Sequence, residues 1–234
     1  MRINCVWEHN GDDSLLYAAD FPGAFTRGID LKVAQEKMPA EICAYLKWRG
    51  LPVMESVQVY ISQEKKSDLQ ICDADSDVLF DTERLPLTRE EYHALKCLVL
   101  RSAKDFQILY ESVVNKNQSN LPERTTFYGR VPRTAQEMYD HTKNVNAYYF
   151  GEIGVQTDND GTILECRVRG FDRLEESAAY LNNDIFFGSY AEQWTLRKVI
   201  RRFLWHDRIH AKAMYRMAVN TFGAGSVANV FQFE

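Results

Sequence analysis

The sequence predicts a two-part chain: a small α+β domain of order β-β-α-β over residues 1–83, then an all-α four-helix bundle over residues 84–234. Three observations carry this. Up to about residue 83, short apolar runs alternate with turn residues, whereas from Thr88 onward apolar residues recur at helical spacing. The helix starts of the second part carry a capping oxygen three residues ahead of a carboxylate. Charge divides at the same place, with 8 basic and 15 acidic residues in 1–83 against 20 and 18 in 84–234.

In the first part, Ile3–Trp7 reads as a strand, Asn10-Gly11-Asp12-Asp13 as a turn, and Leu15–Ala19 as its hairpin partner. Asp20-Phe21-Pro22-Gly23 breaks the second strand. Asp30 is placed to cap a helix through Val33, Met38, Ile42 and Leu46 that stops at Gly50-Leu51-Pro52. Pro39 inside it predicts a kink or a split. Val57–Ile61 alternates as a further strand, and Leu69–Cys72 with Val78–Phe80 predicts an added hairpin.

In the second part, Thr88-x-x-Glu91 opens a helix over about 88–115 and Thr134-x-x-Glu137 one over about 134–152. Asp172-x-x-Glu175 is read as opening a third over about 172–187, ending at Gly188. A fourth starts at Ser189 or Thr195 and runs to about 220, before Gly223. Long loops between the first three helices predict crossover connections. The domain boundary falls around Glu83–Leu87.

Composition is ordinary for a globular chain: 45% apolar, 26% charged and a formal net charge of −5. No apolar run is long enough for a membrane span. The first residues reach charge before any signal-type apolar core, which predicts no export. Five scattered cysteines, none in a CxxC pair, read as reduced thiols of a cytoplasmic protein. The acidic first part lacks the clustered positive charge that nucleic-acid binding requires. Asp73-x-Asp75-x-Asp77 is spaced like a calcium loop, but Val78 stands where the loop needs Gly and Arg84 where it needs Glu, so it reads as an acidic turn.

The chemistry rests on histidine. The chain has five: His9, His93, His141, His206 and His210. His206 and His210 are four apart in the last helix, on a stripe with Val199, Phe203, Ala213, Met214 and Met217, so both rings project inward from one face. His141 shares a face with Met138 and Val145 in the second helix. Three imidazoles directed into one core suit a divalent ion such as zinc, nickel or iron, with positions left for water or substrate. The competing reading is three hydrogen-bonded core histidines. His9 and His93 have no such company and read as structural or surface residues. The last helix also carries Arg197, Arg201, Arg208 and Lys212 on one stripe, read either as a solvated face or as a carboxylate-binding one. Glu175-Glu176 shows no partner signal, and no catalytic residue is legible.

The segment Trp194–His210, WTLRKVIRRFLWHDRIH, resembles the last helix of the DinB-like metalloprotein superfamily, and Met138-Tyr139-Asp140-His141 matches its second-helix position. The resemblance covers about residues 88–220. It implies a four-helix bundle with one divalent metal on His141, His206 and His210, and an activity of the thiol S-transferase or hydrolase kind on a small thiol or electrophile. Some members place a carboxylate among the ligands; this chain has His at all three positions. Leu16–Ala34, LYAADFPGAFTRGIDLKVA, resembles the partial RNase H-like fold of HicB antitoxins. That implies a module binding a partner protein or a second copy; no DNA-binding helix-turn-helix or ribbon is legible after it, where the helical part follows instead. The function so read is metal-dependent transfer or hydrolysis; the alternative is a non-catalytic partner-binding protein with a metal-stabilised bundle.

Overall fold

The computed structural model of the protein describes residues 1–53, 56–126 and 129–233. The chain divides into two compact units, residues 1–85 and residues 86–233. The first holds a small mixed sheet; the second is mostly helical.

In the first unit, β1 (Arg2–His9) turns into β2 (Ser14–Ala18), antiparallel, with Val6 opposite Tyr17. The turn forms where the sequence places it: Asn10 Oδ1 accepts from the Asp12 and Asp13 amides, and Gly11 takes φ +104°. A third strand, β3 (Phe25–Gly28), pairs antiparallel with β2 and makes the order β-β-β-α-β. Its four residues are too short to show a period. Helix α1 (Leu31–Arg49) follows, capped by Asp30, whose Oδ1 accepts from the Val33 amide at 2.8 Å. Pro39 neither splits nor ends it. β4 (Gln58–Lys66) returns parallel to β1, giving the sheet order β3-β2-β1-β4.

The hairpin expected from 69–72 and 78–80 does not form. Ile71–Asp73 is a single 3-10 turn, and residues 76–78 are held by a side chain instead of a ladder. The carboxylate of Glu8, wholly buried, accepts from Ser76 Oγ at 2.6 Å and from the Asp77 and Val78 amides at 3.1 and 3.2 Å. Val78, Leu79 and Phe80 are thereby buried.

In the second unit, α2 (Arg89–Ser112) starts at the expected box: Thr88 Oγ1 accepts from the Glu91 amide, and Glu91 Oε2 from the Thr88 amide. A two-residue ribbon, β5 (Thr125–Thr126) with β6 (Gly129–Arg130), precedes α3 (Ala135–Gly151), whose Thr134–Glu137 box also forms. The third helix corrects the sequence reading. α4 is Ile163–Glu175, opened by Thr162 and Glu165, so Asp172 and Glu175 lie in its last turns rather than at its start. Glu175 there accepts from Tyr92 Oη and Lys96 Nζ, both at 2.6 Å. The signal was hidden because the buried stripe of α4 (Ile163, Cys166, Arg167, Gly170, Phe171, Leu174) includes an arginine and a glycine. A second ribbon, β7 (Phe186–Phe187) with β8 (Gln193–Trp194), takes the place of the end of that helix and of the Ser189 start of the next. α5 (Leu196–Phe222) then begins at Thr195, not Ser189.

Both α2 and α3 pack against α4 and against α5. Ala103, Phe106, Phe150, Phe171, Phe203 and Met214 fill the interior without exposure. Gly170 is required by the α3–α4 approach, since a Cβ there falls 2.0 Å from Phe150 Cε2. Among the described residues, no helix is long and apolar enough to cross a membrane.

Candidate metal centre

α5 places His206 and His210 one turn apart, and α3 brings His141 to them. The two helices meet in reversed order. His141 lies against His206 and His210, while Tyr149, two turns later on α3, lies against Phe203 and Trp194, which come earlier in the chain. Ring centroids are 5.0 Å apart for His141–His206, 4.6 Å for His141–His210 and 4.5 Å for His206–His210. One ligand nitrogen from each ring lies within 4.8 Å of the other two. Among the described residues this is the one group of three His, Cys, Asp or Glu placed to share an ion.

The closest pair is His206 Nε2 and His141 Nε2, at 3.2 Å. Two nitrogens bound to one ion at ~2.1 Å stand about 3.0 Å apart at a right angle and about 3.4 Å at the tetrahedral angle. The separation observed lies between these limits. It also fits a hydrogen bond between the rings, so the distance fits an ion without requiring one.

Electrostatics favour the neutral rings that a metal needs. Burial, then the neighbouring His141, pushes His210 down to about 3. His206 falls well below its ordinary value through burial and then the two other rings, with Arg202 adding to the effect. His141, the ring that reaches the surface, is lowered by burial alone. Three lone pairs are therefore available at neutral pH. His206 Nδ1 is buried without a hydrogen-bond partner, and the Tyr149 ring stands nearly perpendicular to that imidazole with centroids 6.0 Å apart.

The other histidines lie elsewhere. His9 stacks on Trp7 at 4.0 Å and meets Glu64 at 3.1 Å; His93 is exposed on the surface of α2, 3.6 Å from Cys97 Sγ. The basic stripe of α5 is not one solvated face. Arg201 and Arg208 are buried, Arg208 near the Phe233 ring, whereas Arg197 pairs with Glu91 at 2.9 Å. Sequence reading missed a buried polar cluster beside the histidines, made by Ser102, Asn146, Arg167 and Asp207. The available signal was Arg167 and Asp207 at positions that otherwise read as core. No family model, curated protein or solved structure matches the chain.

Proposed function

We propose that residues 86–233 are a DinB-like four-helix bundle that holds one divalent metal ion through His141, His206 and His210. The observation that carries the reading is the 3.2 Å approach of His141 Nε2 to His206 Nε2, with His210 beside them and all three rings held neutral. The mutual packing of α2 and α3 with α4 and α5 supports the bundle. Imidazole donors suit zinc, nickel or iron. Three protein ligands leave coordination positions for solvent or substrate, and the surface exposure of His141 gives them a route in. An ion so held supplies Lewis acidity and lowers the pKa of a bound water or thiol. The reaction class we assign is thiol S-transfer or hydrolysis on a small electrophile.

The test is turnover of 1-chloro-2,4-dinitrobenzene with 2-mercaptoethanol, and of 4-nitrophenyl acetate alone, by zinc-loaded protein. Rates above background that vanish on chelation and in His206→Ala support the reading. Rates equal to background while zinc is bound contradict catalysis.

The N-terminal unit is, in this proposal, a HicB-like module for a partner protein or a second copy. What favours it is β4, nine residues long at the end of the sheet and lacking any buried residue. Five free cysteines suit a reducing compartment, and we assign the cytoplasm.

A further inference from the structure

Each helix of the second unit sends one polar side chain to a common point in its core: Ser102 from α2, Asn146 from α3, Arg167 from α4 and Asp207 from α5, all at 0% exposure. Ser102 Oγ donates to Asp207 Oδ2 at 2.9 Å. Arg167 donates from one terminal nitrogen to Asp207 Oδ1 at 3.3 Å and from the other to Asn146 Oδ1 at 3.0 Å. Its guanidinium lies 3.6 Å from the centre of the Phe203 ring. Asn146 Nδ2 donates in turn to the Asp158 carbonyl at 3.0 Å.

As a source of stability this cluster is a poor choice. Taking both charges out of water is costly, Arg167 Nε has no hydrogen-bond partner, and an apolar pair of similar volume often holds a core as well. Its placement suggests another use. Asp207 directly follows His206, and Asn146 lies little more than one turn after His141, so the two helices that carry the histidines are tied to the same guanidinium. Arg167 stands on α4, which carries no histidine. A slip of either helix by one turn moves its residues by ~5.4 Å, more than the 3.2 Å between His141 and His206 nitrogens.

We propose that Arg167, with Asp207 and Asn146, is the positioning device of the three-histidine site: it fixes the register of α3 against α5 so that the rings converge. The inference rests on the reading that those histidines bind a metal. None of the three touches the ion; they act through the helices.

The test separates positioning from stability. In the full chain, Arg167→Met with Asp207→Leu replaces the buried ion pair by apolar groups. Metal-free thermal stability should stay close to that of wild type, while affinity for Co(II), followed by its visible spectrum, falls at least ~10-fold, the scale of losses when residues that orient metal ligands are removed. Leu174→Ala, in the last turns of α4, should do the reverse, lowering the melting temperature and leaving Co(II) affinity unchanged. If the double variant does not fold, Asn146→Ala keeps the ion pair and cuts the link to α3; it strands one buried Arg167 nitrogen and so lowers stability, and it should lower Co(II) affinity at least ~10-fold as well. Co(II) affinity in the folded variant within threefold of wild type overturns the inference alone. Wild-type protein that binds no Co(II) overturns the metal reading and this inference with it.

Discussion

Lowering the pH of the metal-free protein from 7.5 to 5.0 should cost it stability through His206 and His210. In the unfolded chain a histidine titrates near ~6.5. In the fold His210 is held at about 3 and His206 well below the ordinary value. Between those limits the unfolded chain binds protons that the folded chain refuses. Stability therefore falls as pH drops through ~6.5 and goes on falling until the folded value is reached. At pH 5.0 each ring that stays neutral in the fold costs about 2 kcal/mol relative to pH 7.5, or ~4 kcal/mol for the two. His210 is only half-buried, and solvent around it trims the sum to about 3 kcal/mol. The assay is urea unfolding followed by tryptophan fluorescence at pH 7.5, 6.0 and 5.0 with chelator present. His206→Leu with His210→Leu is the reference, because contributions from carboxylates cancel in the difference. Wild type should lose ~3 kcal/mol more than this variant over the interval. Equal pH dependence in the two proteins would mean that His206 and His210 take up protons as readily in the fold as in the unfolded chain.

Three further outcomes follow from the packing. Gly170→Ala drives a methyl group into Phe150 at the α3–α4 contact and should destabilise the protein by about 1–3 kcal/mol, read as a lower melting temperature. Glu8→Ala removes the shared acceptor of Ser76 Oγ and the Asp77 and Val78 amides, so unfolding free energy should drop by ~3 kcal/mol, with Glu8→Gln losing less. Thr162→Ala deletes the cap of α4 and should cost ~1 kcal/mol in chemical denaturation, whereas Asp172→Ala, in the last turn of that helix, should cost less than half as much.

Local chemistry was the legible part of this sequence. The Asn10–Asp13 turn, the Asp30 cap, the Thr88 and Thr134 boxes and the Gly223 stop all act over three or four residues, and each is where those residues place it. The inward face of α5 was legible for the same reason, since a four-residue spacing decides which side chains share a side. Failures came where a tertiary partner replaced a local signal. Residues 76–78 are held by Glu8, about seventy positions away, so their apolar neighbours look like a strand without being one. Arg167 on the buried stripe of α4 disguised that helix, because its charge is met by Asp207 across the core. The meeting of His141 with His206 depends on how α3 packs on α5; the sequence pointed to it only through inward faces on two helices and a family resemblance, and its geometry comes from the packing.

One divalent ion per chain on His141, His206 and His210 is what the bundle is proposed to hold. The most direct test is equilibrium dialysis of metal-free protein, prepared without a polyhistidine tag, against zinc, nickel and ferrous iron, followed by elemental analysis. Wild-type protein should take up one equivalent of at least one of these ions, lost in His141→Ala, His206→Ala and His210→Ala and kept in His93→Ala. Wild-type protein that stays metal-free throughout, or an equivalent that survives all three histidine substitutions, contradicts the three-histidine site.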